Sequence, residues 1–209
     1  MPFLRALNSA LFLAGLPVIY FLQRRLLYRP SNINPFLYDQ YADAQLVFET
    51  EDGEKIHGWE IKNKAINDTV LIFFGGNSQE ILQYLKKEHL RNFSRVYGFN
   101  YRGFGLSSGT PSELNIFQDA LSICQKVRER NPTAKIHIEG FSLGASVAGY
   151  VASEINPESL VLVSPFYSIH AVLNEKLYIP NFLLWDRYEL HRFLKSVTVP
   201  TLIVSAKCD

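Results

Sequence analysis

A chain of 209 residues with 47% hydrophobic content is long enough for one ordinary globular domain and too apolar to remain disordered. Lys and Arg number 21 against 20 Asp and Glu, a net charge of +1, which excludes the strongly basic balance of a nucleic-acid binder. Two cysteines, Cys124 and Cys208, are too few for a disulfide scaffold or a cysteine-rich metal site.

From Ala6 to Gln23 the sequence carries no charge. At about 1.5 Å per residue such a helix reaches roughly 27 Å, close to the hydrocarbon thickness of a bilayer. Arg5 precedes the run; Arg24, Arg25 and Arg29 follow it, and Tyr20 and Tyr28 sit where aromatic rings bridge oil and water. Gln-Arg-Arg follows the run in place of the small residues of a signal cleavage site. Residues 1–30 are therefore expected to form an uncleaved, single-pass membrane anchor with its flank, kinked but not broken at Pro17. The alternative is an interfacial or core helix. The arginine excess after the span puts the rest of the chain on the cytoplasmic side.

Pro30, Ser31, Asn32, Asn34 and Pro35 make 31–43 a turn-rich linker, and 44–209 the globular domain. Ala44–Glu49 and Lys55–Lys62 alternate in hydrophobicity around Glu51-Asp52-Gly53, the pattern of an antiparallel hairpin. Val70–Phe74 is a continuous apolar run, as a strand buried on both faces requires. Ser78–Leu90 has helical spacing, Val96–Asn100 is a strand, Glu113–Arg130 a long amphipathic helix and Ile136–Phe141 another strand. Leu143–Ile155 reads as a buried helix, with Leu160–Val163 and Thr201–Ser205 as the last strands. Strands alternating with helices predict an α/β fold with a mostly parallel sheet covered on both faces.

Gly140-Phe141-Ser142-Leu143-Gly144 falls between a predicted strand and a predicted helix. A serine on so sharp a turn takes strained backbone angles, and Gly140 and Gly144 remove side chains that would collide. The hydroxyl of Ser142 then stands at the carboxyl end of the sheet as a nucleophile. The Leu143 N–H, at a helix N-terminus, points where an oxyanion would form. Gly75-Gly76-Asn77-Ser78, after the strand Val70–Phe74, lets backbone approach a ligand closely, with the Asn77 N–H as a second oxyanion donor.

These features resemble the α/β-hydrolase superfamily, and within it the membrane-anchored branch with a short cap. The resemblance is carried by Phe73-Phe74-Gly75-Gly76-Asn77, Asn100-Tyr101-Arg102-Gly103-Phe104-Gly105-Leu106-Ser107, Gly140–Gly144, Ser164-Pro165-Phe166 and Val199–Asp209. It covers the chain from about Ala44 onward. The branch has His-Gly-Asn where this chain has Gly75-Gly76-Asn77, and Asp-Tyr-Arg-Gly where it has Asn100–Gly103; the first departure bears on the shape of the oxyanion loop.

The resemblance implies that Asp209 is the catalytic acid, since Thr201–Asp209 matches the family's strand and acid loop. The family order is Ser, Asp, His, yet His57, His89, His137, His170 and His191 all precede Asp209. Only His170 and His191, flanking the cap segment, are placed to approach a pocket. The chain therefore reads as truncated at the acid, without the last strand and helix of the fold, and as inactive in this form because Ser142 lacks its base. The implied activity of the complete protein is a serine hydrolase acting on carboxylic esters or thioesters of lipid-like acyl groups. The alternatives are a peptidase of the same fold and a catalytically inactive binding module. No cofactor, metal or nucleic acid is expected, and no oligomeric state is implied.

Overall fold

The computed structural model describes residues 20–30, 33–65, 67–174 and 180–205. Most of the expected anchor, Ser31-Asn32 of the linker, and Asp209 lie outside the described residues. No helix among the described residues is long and apolar enough to cross a membrane.

Residues 20–27 are helical (α1). The linker region holds a second short helix, α2 (Pro35–Gln40), begun by proline and capped by Asn34, whose Oδ1 accepts from the Leu37 N–H at 3.2 Å. Its Leu37 and Tyr38 are buried, and Tyr38 meets Trp59 edge to face at 4.9 Å, so this stretch belongs to the core.

The described strands are β1 (Gln45–Glu49), β2 (Lys55–Lys62), β3 (Thr69–Phe74), β4 (Arg95–Phe99), β5 (Lys135–Phe141), β6 (Ser159–Val163) and β7 (Thr201–Val204). They form one sheet in the order β1-β2-β4-β3-β5-β6-β7. β1 and β2 are antiparallel additions at one edge; β4, β3, β5, β6 and β7 run parallel. The hairpin turns through Thr50–Glu54, closed by the Thr50 N–H to Glu54 O bond at 2.9 Å, with Gly53 at φ 82°. β3 shows why a central parallel strand must be apolar throughout. Val70, Ile72 and Phe74 enter the core beneath α4 (Glu113–Arg130) and α5 (Leu143–Ile155), while Leu71 and Phe73 enter the opposite core with α3 (Ile81–Leu85). At the other edge β7 leaves Leu202 and Ile203 exposed.

One expected helix is redrawn. Ser78–Leu90 becomes α3, five residues long, followed by a 3₁₀ turn at Glu88–Asn92. The late start has a cause: Gln79 is held back by its Oε1, which accepts from Gly76 N–H at 3.0 Å. Glu80 then caps α3, accepting from Leu82 and Gln83 N–H at 3.3 and 3.1 Å. Lys87 turns extended (φ −66°, ψ 143°) and ends the helical path.

Between β6 and β7 lie α6 (Ile169–Asn174), a 3₁₀ turn at Asn181–Leu183 and α7 (Leu190–Phe193). These form the cap, fastened to the body by Glu113 at the start of α4. Its carboxylate accepts from the Arg187 and Tyr188 N–H groups at 2.6 and 2.9 Å, while its own N–H donates to Asp186 at 3.0 Å. Burial raises the Glu113 pKa above the ordinary carboxyl value, against those hydrogen bonds.

Candidate active site

β5 passes into α5 through Ser142, whose backbone sits at φ 54°, ψ −113°, outside the regions an L-residue ordinarily occupies. Its N–H donates to Val163 O on β6 at 2.9 Å, and its carbonyl accepts from Ala145 N–H at 3.0 Å, so the strained turn is held from both sides. The flanking glycines are sterically required. A Cβ on Gly140 would stand 2.2 Å from the Gly144 carbonyl oxygen, and one on Gly144 would stand 2.1 Å from the Phe74 carbonyl oxygen. The sequence spacing is thus a packing condition between β5, α5 and the end of β3.

The loop after β3 lies against this elbow. A Cβ on Gly76 would be 2.9 Å from the Phe141 ring and 3.5 Å from Ser142 Cβ. Tyr101, buried, donates from Oη to Gly75 O at 2.7 Å and braces the loop. Gly76, Asn77, Gln79, Phe141 and Ser142 line an open cleft of about 430 Å³. Asn77 lines this cleft and Leu143 follows Ser142 at the start of α5; among the described residues the backbone N–H groups of both have no hydrogen-bond acceptor.

The side chain of Asn77 has a role that the sequence did not disclose. Its Nδ2 donates to Leu27 O and its Oδ1 accepts from Arg29 N–H at 3.4 Å, tying the loop after β3 to the end of α1. No local pattern announces a contact across 50 residues of sequence. Arg102 is a second case. Buried beneath the Asn100–Ser107 loop, it grips Asp119 of α4 at 2.7 and 2.8 Å and Asp52 of the hairpin turn at 2.6 and 2.9 Å. The guanidinium holds the Asp52 carboxyl well below the usual range, whereas burial wins at Asp119 and raises its pKa.

The hydroxyl of Ser142 has no hydrogen-bond partner among the described residues, and each histidine has other neighbours. His137 Nδ1 lies 2.8 Å from Ser159 Oγ, and His89 Nε2 lies 3.9 Å from Glu139. His57 is half-buried on β2, where burial lowers its pKa. His170 Nε2 is 3.0 Å from Asn174 Nδ2, and His191 stacks on Tyr167 with ring centres 3.9 Å apart. The structure therefore brings together Ser142, Leu143, Asn77, Gly140 and Gly144, while the expected acid Asp209 lies outside the described residues. Among the described residues no cluster of three His, Cys, Asp or Glu side chains could hold a metal ion.

Comparison with known proteins agrees with this architecture. Residues 69–209 match the serine aminopeptidase (S33) family. The uncharacterized protein YfhR of Escherichia coli (strain K12) is 29% identical over 185 residues, a match covering 82% of this chain and 64% of that protein, so the chain spans less than two thirds of this relative's length. Among solved structures, an alpha-beta hydrolase from Vibrio vulnificus superposes with a TM-score of 0.71 at 19% identity, over 90% of this chain and 75% of that one. The esterase Pf2001 of Pyrococcus furiosus superposes with a TM-score of 0.64 at 20% identity, over 85% of this chain and 75% of that one. With an elbow serine between β5 and α5, a predominantly parallel sheet and a family match over its last two thirds, this chain belongs to the serine aminopeptidase (S33) family and has the α/β-hydrolase fold.

Proposed function

We propose that the protein is a serine hydrolase that cleaves carboxylic esters or thioesters of lipid-like acyl groups through an acyl-enzyme on Ser142. The observation that carries this reading is the strained backbone of Ser142, held between two sterically obligatory glycines beside an open cleft. A fold keeps such strain where it serves chemistry. Ser142 Oγ attacks the acyl carbonyl; the carbonyl oxygen takes up the negative charge and is met by the Leu143 and Asn77 N–H groups. Collapse expels the alcohol or thiol, and water then releases the acid and regenerates the serine. A histidine oriented by Asp209 is the base in this reading. Esterase activity in the Pyrococcus relative supports the ester class, and the apolar cap residues Phe166, Leu173 and Leu183, packed beside the core, support an acyl substrate. The uncharged run ending at Gln23 supports a membrane anchor, which would present the cleft to lipid-derived substrates.

The absence of a histidine partner for Ser142 among the described residues favours a second reading, a hydrolase-fold binding module without turnover. A fluorophosphonate probe separates the two. Two forms are compared, one ending at Asp209 and one extended through a further strand to a histidine. The extended form is expected to label at Ser142 and to hydrolyse p-nitrophenyl butyrate, with Ser142→Ala abolishing both. Removal of the base typically costs about 10⁴–10⁶ in kcat, so the shorter form should be nearly silent. Equal activity in the two forms would make His170 or His191 the base, and equal inactivity in both would favour the binding module.

A further inference from the structure

Helix α1 divides into two faces. At about 100° per residue, Phe21, Leu22, Arg25 and Leu26 span one arc of roughly 140°; all four are exposed, as is Arg29 just past the helix. Tyr20, Gln23, Arg24 and Leu27 take the opposite arc, and Tyr20, Gln23 and Arg24, with Tyr28 just past the helix, hold the cap. Arg24 pairs with Asp186 at 2.9 Å, Gln23 accepts from Trp185 N–H at 2.8 Å and donates to Leu183 O at 3.2 Å, and Tyr28 and Tyr188 share a hydroxyl hydrogen bond of 2.8 Å. α1 and residues 183–188 are therefore joined by these side-chain contacts.

The exposed side chains of this joint piece are apolar, aromatic and basic. Phe21 is 72% exposed, Leu26 54%, and Phe182 at the cap edge 76%. Trp185 is 41% exposed, with Tyr20 against its ring at 5.1 Å and the Arg24 guanidinium over it at 5.1 Å. Large apolar side chains exposed together mark a contact surface. Three features select its occupant. Tyr and Trp rings belong at the headgroup level of a bilayer. Arg25 and Arg29, interleaved with the apolar side chains, suit anionic headgroups and would not suit a purely apolar protein groove. The helix also continues the uncharged sequence that begins at Ala6, and thus emerges from the run read as the anchor.

We infer that the outer face of α1, together with Phe182 and Trp185 of the cap, seats in the interface of an anionic lipid bilayer and turns the Ser142 cleft toward the membrane from which an acyl substrate would come. This rests on the anchor reading and adds to it: an anchor alone would tether the domain without fixing which side faces the lipid. The same α1 segment holds Asn77 of the oxyanion loop, so seating fixes the cleft together with the cap.

The chain carries its own reporter. It has two tryptophans; Trp59 is 1% exposed in the core, so Trp185 alone can respond to its surroundings. The full chain is reconstituted in vesicles of equal parts phosphatidylcholine and phosphatidylglycerol with brominated acyl chains, and Trp185→Phe supplies the Trp59 background. The expected result is flotation with the vesicles, an about twofold or greater loss of Trp185 emission to the bromines, and shelter from aqueous acrylamide. Phe182→Ser, at an exposed position, should weaken the bromine quenching without changing flotation. Flotation with Trp185 still open to acrylamide and untouched by bromine would overturn the seating while leaving the anchor intact. Shelter from both quenchers would also overturn it, assigning the face to a second copy or another protein. Failure to float would overturn the anchor and the seating together.

Discussion

Ser142 carries the backbone strain of the elbow at a single residue. A non-glycine residue at φ 54°, ψ −113° costs on the order of 1–3 kcal/mol, and the turn persists because β6, α5 and the two flanking glycines leave no other path. Two substitutions separate the backbone cost from the hydroxyl. Ser142→Gly should raise the unfolding free energy by about 1 kcal/mol, because glycine accepts this conformation more readily. Ser142→Ala keeps the strain and should stay within about 0.5 kcal/mol of the parent, while both substitutions abolish fluorophosphonate labelling in the extended form. Urea unfolding of the three proteins checks the order; no gain in the glycine variant would mean the turn is not strained. Gly140, Ser142 and Gly144 were legible in the sequence because the steric condition they meet involves neighbours within the same turn and the adjoining strand. The carboxamide of Asn77 was not, because its partners Leu27 and Arg29 belong to a different element and the contact follows from tertiary packing alone.

At the scale of elements the parallel strands were readable from their apolar runs, with boundaries moved by a residue at most ends. α3 was not, since the helical spacing of Ile81, Leu82 and Leu85 says nothing about Gln79 and Glu80 using their side chains to delay the helix. The tie between the β1–β2 turn and α4 was equally silent. Arg102 joins the two through Asp52 and Asp119, carboxylates far apart in sequence. The two arms differ in worth. Asp119 is buried, so removing Arg102 leaves its charge without compensation; Asp52 is exposed and can return to water. Arg102→Met should therefore destabilise the protein by about 3–5 kcal/mol, the range for breaking a buried pair from one side. Asp52→Ala should cost far less, and combining Arg102→Met with Asp119→Leu should recover much of the loss by removing the stranded charge. Denaturation midpoints of the four proteins decide it. Similar losses for Asp52→Ala and Arg102→Met would show that the buried arm is not the dominant one.

For the molecule as a whole, the sheet makes stability depend on pH through two strands. His57 on β2 and His137 on β5 are both half-buried, and burial is the main reason each has a pKa below the ordinary value of 6.5. Lys55 adds to the effect at His57. At His137, Glu158 opposes it and Lys135 reinforces it without reversing the sign. Below pH 6.5 the unfolded chain takes up protons that the folded chain resists, so the unfolding free energy falls as pH drops through that value toward the folded-state pKa values. Above it both states are neutral at these positions and the contribution is complete. Glu113 and Asp119 act in the opposite direction, since burial raises their pKa values and protonation relieves them, but they do so as pH falls toward the carboxyl range. Thermal unfolding at about pH 7.5 and about pH 5.5 should show a drop in Tm on the order of a few degrees. A His57→Gln, His137→Gln double variant is less stable at both pH values for lack of native contacts such as the Ser159 bond, so the quantity to read is the drop between them. That drop should shrink clearly in the double variant. If it is as large as in the parent, the acid sensitivity arises elsewhere and the two strand histidines are not its source.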